Sequence, residues 1–464
     1  MPTPERSSGP AATIRTATLV AAPPLTASTV DAASEPILAP VRADERIFAL
    51  DTIRGFALLG ILLMNICDLG LAYPAYFIPL AGAGGASGTN LFTWCFMTVV
   101  ADGKMRAIFS LSFGASVYLL VDRLSRKGVA ADAADIHYRR MLWLMLFGIL
   151  HAYFIWSGDI LYYYAVVGLL LYPLRKLSPR VLLITAGILL LVVTCSSAYN
   201  IFHWKQLQRK FAQVEADEQA GKKLSDEQQT VKREWQDTLN LYDPPAEDLK
   251  KDTEAHLGGY FKKVVHCATR VYHNHSNPFY SPFWGDFLTM MLAGMALLKL
   301  GVLSGSYSHK FYAWMAMLSF AIGIPVQAGA AWWTATHHFT MDAWTPSDLT
   351  YEIGRFTAFG YIAVILLVVK SNALQPVTRT LAKVGQMAFS NYILTSLICV
   401  TIFDVPGFGL FNRLQRYQLY GIVVLVWTVL LIFSSLWLRQ FRFGPLEWVW
   451  RSLTYWKKQP FRIK

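Results

Sequence analysis

The stretch RIFALDTIRGFALLGILLMNI, residues 46–66, decides the fold class of this chain. It is mostly apolar and about as long as a membrane-spanning helix, which needs about 20 such residues. It nevertheless carries an acid and a base, Asp51 and Arg54, which fall on one face of a helix. We interpret the pair either as a structural ion pair near the membrane surface or as a cationic entrance for an anionic cofactor. The nearby Gly55 and Gly60 predict the close approach of another helix.

The composition of the whole chain indicates a membrane protein. Of its 464 residues, 54% are hydrophobic and only 16% are charged, whereas soluble domains carry about 25% charged residues. The net charge of +12 is explained by basic cytoplasmic loops, so we expect no nucleic-acid partner. The odd number of cysteines and the lack of a CxxC pair argue against a disulfide framework. We expect no metal site, because HNH at 273–275 has no acid at suitable spacing.

Apolar runs of membrane-spanning length recur along the chain. Ten candidate spans lie near residues 47–68, 91–121, 141–157, 160–175, 181–200, 283–303, 310–333, 352–370, 384–403 and 418–439. The run 91–121 contains the polar break ADGKMR, so it predicts either an interfacial helix followed by a span or a broken helix. The sequence therefore predicts an all-α polytopic membrane helix bundle of about 10–11 transmembrane helices with one large extracytoplasmic loop.

The distribution of basic residues predicts the orientation. With ten spans and a cytoplasmic N-terminus, four basic segments fall on the cytoplasmic side, at residues 121–140, 174–180, 370–383 and 439–464. We expect both termini in the cytoplasm of a bacterial-type inner membrane. The predicted domains are a disordered cytoplasmic tail, an N-terminal transmembrane bundle, an extracytoplasmic insert of two or three amphipathic helices, and a C-terminal transmembrane domain with a basic cytoplasmic tail. Their boundaries are 1–44, 45–200, 201–282 and 283–464.

The segment LFGILHAYFIWSGDILYYYA, residues 146–165, offers the strongest candidate for catalysis. It predicts a tight helical hairpin that turns at SGD. A neutral His151 can act as a general base, and Asp159 at the turn can orient it. A satisfied structural histidine is the alternative interpretation.

Three further polar residues are candidates for lining a substrate site. Lys104 and Arg106 follow the break in ADGKMR and either extend to the membrane surface or line a path for an anionic substrate. Asn391, in GQMAFSNYILTS, either forms hydrogen bonds between helices or faces a cavity. Glu352 and Arg355 are interpreted as a structural pair.

Several long motifs resemble the YeiB family, also described as domain of unknown function 418. They are the opening stretch, KMRAIFSLSFGASVYLL, RRMLWLMLFGILHAYFIWSGDILYYYAVVGLLLYPLR, GQMAFSNYILTSLICVTIF, GFGLFNRL and RFGPLEWVWRSLTYWK. The R-x-x-x-L-D-x-x-R-G pattern that begins at Arg46 is also similar to the opening of membrane acyltransferases. These include the heparan-glucosaminide acetyltransferase family and, more loosely, the acyltransferase-3 family.

The resemblance to acyltransferases implies a specific assignment of roles. Acyl-CoA, as acetyl-CoA or a longer thioester, would be the donor, held by four residues at the cytoplasmic end: Arg46, Asp51, Arg54 and Arg140. His151, helped by Asp159, would deprotonate the acceptor. The acceptor would be a sugar, a glycolipid or another small molecule on the far side of the lipid bilayer. The sequence is compatible with a homodimer.

Two other functions fit the sequence. A membrane transporter or exporter of a small or anionic solute would also need intramembrane charges and a broken helix. A scaffold or cell-envelope partner is the third hypothesis, although no feature of the sequence supports it specifically.

Overall fold

The computed structural model describes residues 47–126, 130–276 and 282–463. The predicted tail 1–44 and Arg46 lie outside the described residues. Within those ranges the chain contains no β-strand, and its extended structure is limited to an isolated antiparallel bridge between Phe441 and Arg462. The helices are α1 (Phe48–Gly70), α2 (Gly88–Val100), α3 (Lys104–Arg126), α4 (Ala130–Phe154), α5 (Leu161–Leu174), α6 (Pro179–Gln219), α7 (Asp226–Tyr242), α8 (Ala246–Leu257), α9 (Tyr260–Ser276), α10 (Pro282–Lys299), α11 (His309–Thr336), α12 (Thr345–Arg355), α13 (Thr357–Ser371), α14 (Gln375–Gln386), α15 (Ala388–Phe403), α16 (Arg416–Trp437) and α17 (Pro445–Tyr455).

The architecture is an all-α polytopic helix bundle, as predicted. In the described ranges, six helical segments are long and apolar enough to cross a membrane, or seven if the bent pair α14 and α15 counts as one span. The six are Phe48–Gly70, Gly88–Arg126, Pro179–Gln219, His309–Thr336, Met341–Ser371 and Arg416–Trp437. Length and composition alone thus support fewer spans than the expected ten or eleven. The difference arises partly because α5 has only 14 residues and α4 begins with a charged turn.

Helix α1 lies at the centre of the bundle, because its residues belong to both large hydrophobic cores. It crosses α14 at very short range. A Cβ atom added to Gly55 would lie 1.9 Å from the carbonyl oxygen of Leu381, and one added to Gly385 would lie 2.0 Å from that of Asp51. The predicted close approach at Gly55 is therefore observed. Since α1 packs on α14 and α3 packs on α10, helices from both predicted transmembrane segments share one bundle.

The predicted break in the second apolar run lies between α2 and α3. Gly103 adopts the left-handed conformation there, with φ of 71°, which glycine accepts without steric cost. The side chain of Lys104 turns back, and its Nζ donates a hydrogen bond to the carbonyl oxygen of Thr98 at 2.6 Å. The polar residues of ADGKMR thus end one helix and satisfy a carbonyl group that the helix end leaves free.

The predicted insert, residues 201–282, begins within helix α6, because this helix does not end where the predicted span ends. The sequence predicts a span at 181–200 followed by a loop, but α6 continues for 41 residues to Gln219. No proline interrupts α6 after Pro179, and the chain turns only at Gly221, where φ is 72°. The C-terminal part of α6 packs against α7 through Trp204, Leu207 and Trp235.

A buried ionic cluster joins α8 and α9 of the insert to the bundle. His256 Nδ1 lies 2.7 Å from Oδ1 of Asp404, which follows α15. The other oxygen of Asp404 pairs with Lys263. On the opposite side, Asp252 accepts hydrogen bonds from the backbone N–H of Tyr73 at 2.8 Å and pairs with His266 Nε2 at 3.0 Å. Lys263 and Tyr260 also donate hydrogen bonds to the carbonyl oxygens of Ile155 and Phe154, both at 2.9 Å, and thereby hold α9 across the end of α4.

Candidate functional site

His151 and Asp159 lie together across the turn between α4 and α5. His151 Nδ1 is 2.8 Å from Asp159 Oδ1, and the two side chains are 1% and 0% exposed. Asp159 Oδ2 accepts a hydrogen bond from the backbone N–H of Tyr162 at 2.8 Å. His151 Nε2 is buried and has no hydrogen-bond partner in the described part of the chain. An imidazole that is oriented by a carboxylate through one nitrogen and unpaired at the other has the arrangement of a general base.

A cavity of about 190 Å³ lies on one side of this pair. We call it the arginine cavity, because four arginines line it: Arg54, Arg123, Arg140 and Arg451. Two carboxylates, Asp51 and Glu447, also line it. The lining therefore carries an excess of guanidinium groups, which can donate paired hydrogen bonds to anionic oxygens.

Asp51 and Arg54 form the predicted pair in the wall of the arginine cavity. Arg54 Nη1 lies 3.1 Å from Asp51 Oδ1, and Nη2 donates a hydrogen bond to Ser116 Oγ at 2.5 Å. Arg54 Nη1 also reaches the carbonyl oxygen of Gly385 at 3.4 Å. The pair is therefore structural, in that it holds α1 against α3 and α14. It also lines the cavity, as the second interpretation requires.

Arg140 lines the same cavity from α4. Its guanidinium lies 4.0 Å from the ring centroid of Trp450, and Trp450 Nε1 donates a hydrogen bond to the carbonyl oxygen of Arg140 at 2.9 Å. The Trp450 ring lies against one face of the Arg140 guanidinium and limits its movement towards that side. Arg140 and His151 are on one helix, about 16 Å apart at 1.5 Å per residue.

Glu447 is a buried residue of the arginine cavity that the sequence analysis missed. Its Oε1 accepts hydrogen bonds from the backbone N–H groups of Phe389 and Ser390, at 2.7 and 3.1 Å, and its Oε2 accepts one from the Ser390 hydroxyl. The carboxylate thus satisfies the N-terminus of α15, at the 84° bend between α14 and α15. In the sequence, the feature that could have indicated Glu447 is its position as an acidic residue in the first turn of the short helix α17.

A second cavity of about 140 Å³ lies on the other side of the pair. We call it the aromatic cavity, because six phenylalanine, tyrosine and tryptophan side chains line it: Tyr73, Tyr76, Phe77, Trp156, Tyr163 and Phe287. Its polar lining includes Asp68, Arg106, Asp159 and Arg270. Arg270 belongs to α9, so the insert forms part of this cavity.

The histidine–carboxylate pair lies next to both cavities: Asp159 lines the aromatic cavity, whereas His151 itself lines neither. Ile160, the residue after Asp159, lines both of them. Its backbone N–H donates a hydrogen bond to the Tyr392 hydroxyl at 3.2 Å. Tyr392 lines the arginine cavity and Trp156 lines the aromatic cavity, and their ring centroids are 5.1 and 6.1 Å from that of His151. His151 is therefore enclosed between one residue of each cavity.

The three predicted substrate-lining residues occupy different positions. Arg106 lines the aromatic cavity, where it pairs with Asp286 at 2.9 Å. Lys104 lines neither cavity, because its ammonium group satisfies the end of α2. Asn391 also lines neither, since its amide donates to Val384 O and Ser434 Oγ at 3.1 and 2.9 Å. For Asn391, hydrogen bonding between helices is thus the arrangement observed.

Glu352 and Arg355 form the predicted structural pair, and Arg355 also pairs with Asp286. Asp286 therefore connects Arg355 with Arg106. Asp286 and Asp68 were not identified from the sequence, although a single acid within an apolar run is a signal for both.

The fold and the site together define a class: a polytopic helix bundle that buries a histidine–carboxylate pair beside two cavities, each lined by apolar and charged residues. Comparison with known sequences identifies the family. The profile of a family described as "Protein of unknown function (DUF418)" matches residues 297–457. A protein of Escherichia coli named "Uncharacterized protein YeiB" is 30% identical over 416 residues, which cover 88% of this chain and 96% of that protein. The chain belongs to the YeiB family, DUF418.

Two further relatives extend the similarity over nearly the whole chain. "Uncharacterized protein YxaH" of Bacillus subtilis is 28% identical over 438 residues, or 92% of this chain and 98% of that protein. An "Uncharacterized 39.9 kDa protein in amylase 3'region" of Bacillus acidopullulyticus is 26% identical over 431 residues, with the same coverage of both chains. No solved structure matches the chain significantly.

Proposed function

We propose that this protein is an integral inner-membrane acyltransferase, which moves an acyl group from cytosolic acyl-CoA to an extracytoplasmic or membrane acceptor. One observation carries the proposal: the buried His151–Asp159 pair lies between two separate cavities, since the His151 ring packs against Tyr392 of one and Trp156 of the other. A shift of these two rings would open the imidazole to a donor in one cavity and an acceptor in the other.

The arginine cavity suits the donor. Arg54 and Arg140 present guanidinium groups that can bind the phosphates of a CoA thioester. The predicted orientation places this cavity towards the cytoplasm, because basic segments near 121–140 and 439–464 fall at that end. Apolar lining residues such as Phe113, Leu144 and Phe389 would then surround the acyl-bearing arm.

The pair can supply the proton transfer that acyl transfer needs. His151 Nε2 accepts the proton of the acceptor's hydroxyl or amine, while Asp159 stabilises the resulting imidazolium through Nδ1. The acceptor's oxygen or nitrogen forms a bond to the thioester carbonyl carbon as the carbon–sulfur bond breaks. The CoA thiolate that leaves takes the proton from His151. The acylated acceptor and free CoA are then the products, and the histidine is neutral again.

A transporter of a small or anionic solute is the second candidate. The same two cavities favour it, since a solute could pass between them if the wall at Ile160 and Tyr392 moved. The sharp bend between α14 and α15 is a position where such movement could occur.

The test is acyl-CoA binding and thioester cleavage by the purified protein in nanodiscs. Wild type should bind acetyl-CoA or a longer acyl-CoA and release free thiol by slow hydrolysis, in which water takes the acyl group in place of the acceptor. His151→Ala should retain binding and lose cleavage, whereas Arg54→Ala should lose binding. Matched controls are His309→Ala and Arg379→Ala, which replace exposed residues of the same types.

Both controls should behave as wild type in binding and cleavage. Wild-type protein that neither binds nor cleaves any acyl-CoA would exclude the acyltransferase. Uptake of an anionic solute into proteoliposomes, with the solute recovered chemically unchanged and with normal rates in His151→Ala, would establish the transporter instead.

A further inference from the structure

Asp68 lines the aromatic cavity with one of its oxygens unpaired. Its Oδ2 accepts a hydrogen bond from Trp156 Nε1 at 2.7 Å. Its Oδ1 is buried and has no hydrogen-bond partner among the described residues. Buried polar atoms in native proteins are nearly always paired, so an exception in a cavity wall requires an explanation. A ligand that donates a hydrogen bond to this carboxylate provides one.

The negative charge of Asp68 is balanced by a positive charge close to it. Arg270, from α9 of the insert, is the opposite charge that acts most strongly on Asp68. Its guanidinium lies 4.1 Å from the ring centroid of Tyr73 and donates a hydrogen bond to Ser157. One carboxylate and one guanidinium together offer both acceptors and donors without a net charge. Such a lining favours an uncharged ligand whose groups both donate and accept hydrogen bonds, as hydroxyl groups do.

The dimensions of the aromatic cavity limit the size of the ligand. Its volume of about 140 Å³ equals that of about five water molecules in the liquid, at about 30 Å³ each, so the part of the ligand held there is small. The flat rings of Tyr76 and Trp156 can pack against its C–H surfaces.

We infer that Asp68 is a positioning residue that anchors the acyl acceptor, and that the acceptor end held in the aromatic cavity is small, uncharged and hydroxyl-bearing. The inference rests on the proposed acyl transfer. Trp156 connects the anchor to the reaction centre, because it binds Asp68 Oδ2 and its ring lies 6.1 Å from that of His151. An acceptor hydroxyl bonded to Asp68 therefore lies beside the ring that packs against the general base.

The experiment measures ligand binding without any acyl donor. Saturation-transfer NMR on the full-length protein in nanodiscs compares three matched probes: glucose, which is uncharged, glucosamine, which is cationic, and glucose 6-phosphate, which is anionic. Each is measured with wild type, with Asp68→Asn, and with Asp122→Asn. The last variant makes the same chemical change at an acid that pairs with Arg126 at 2.9 Å and lines neither cavity.

Wild type and Asp122→Asn should bind glucose with the same Kd, at least tenfold more tightly than either charged analogue. Asp68→Asn should weaken glucose binding at least tenfold. Thermal unfolding checks that Asp68→Asn is folded, and Asp122→Asn, which lines neither cavity, should cleave acyl-CoA at the wild-type rate. Equal glucose binding by Asp68→Asn and wild type would overturn the inference, as would absence of glucose binding by wild type or preference for a charged analogue. Wild type that neither binds nor cleaves any acyl-CoA would reject the proposed function instead, so the two failures are distinguishable.

Discussion

His151 and Asp159 form a hydrogen-bonded pair that is buried on every side, with His151 Nδ1 2.8 Å from Asp159 Oδ1. The carboxylate is itself held by the backbone N–H of Tyr162. This arrangement leaves His151 Nε2 without a partner among the described residues, and in the proposed mechanism this nitrogen takes the proton while Asp159 selects the tautomer.

Replacing Asp159 with Asn should slow thioester cleavage by about 10²–10⁴-fold, the range that a positioned acid–base group contributes. The side-chain amide introduced at position 159 cannot stabilise an imidazolium. It can also donate its NH₂ group to Nδ1 of His151, which favours the tautomer that carries its proton on Nε2 and cannot accept another there. The measurement is kcat for release of CoA thiol at several pH values. Asp226→Asn, at an exposed position of the insert, should leave kcat unchanged. A rate for Asp159→Asn within twofold of wild type would remove Asp159 from the mechanism.

Replacing Arg140 with Ala should weaken acyl-CoA binding by about 10- to 100-fold, because one charge-assisted contact to phosphate is lost. The Kd should be determined by calorimetry at two salt concentrations, with Arg379→Ala as the control. The loss should be smaller at high salt, where screening already reduces the contribution of each charge. An unchanged Kd would show that Arg140 serves only to pack against Trp450.

Replacing Gly385 with Ala should destabilise the bundle by about 1–3 kcal/mol through overpacking. The added Cβ would meet the carbonyl oxygen of Asp51 at 2.0 Å, so α14 would have to move away from α1 and from Arg54. Thermal unfolding in detergent measures the effect. Gly421→Ala is the matched control, since a Cβ there meets no atom within 4 Å. If both variants unfold at the wild-type temperature, the close crossing of α1 and α14 is not required.

Replacing Glu447 with Gln should cost about 1–3 kcal/mol, because the buried cap of α15 loses its charge and one acceptor oxygen. The backbone N–H groups of Phe389 and Ser390 should then exchange with deuterium faster. Glu234→Gln, at an exposed site on α7, controls for the chemical change. Unchanged exchange at the start of α15 would contradict the capping role of Glu447.

The attachment of the insert should weaken in alkaline solution. Burial acts to lower the pKa of His256, but its hydrogen bonds with Asp404 and Cys267 and the charges of Asp404 and Asp252 outweigh burial and raise the pKa from 6.5 to about 9. Because the folded state binds this proton more tightly than the unfolded state, the stabilisation is complete below pH 6.5 and is lost as the pH rises through 9.

Hydrogen exchange of α8 and α9 measures this effect. Exchange in wild type should accelerate between about pH 6.5 and 9 beyond the intrinsic increase, and His256→Gln should exchange fast throughout this range. His309→Gln, at an exposed histidine, should behave as wild type. Wild-type protection that is constant across the range would contradict the raised pKa.

Features that depend on neighbouring residues could be predicted from the sequence. The long apolar runs require helices, since a helix satisfies all its backbone groups within one segment. The polar break at ADGKMR and the turn at SGD are local interruptions of such runs, and the structure shows both. His151 and Asp159 are only eight residues apart in one hairpin, so their meeting follows from the geometry of the turn.

Contacts between distant segments were decided by the tertiary structure alone. Asp68 and Trp156 are separated by 88 positions, and Ser390 and Glu447 by 57. Whether Asn391 faces a cavity or a neighbouring helix depends on the rotation of α15 against α14 and α16. That rotation is set by side-chain packing over many helices, which hydropathy does not encode. An apolar run determines that a helix forms, whereas the packing of the whole bundle determines what each polar side chain touches.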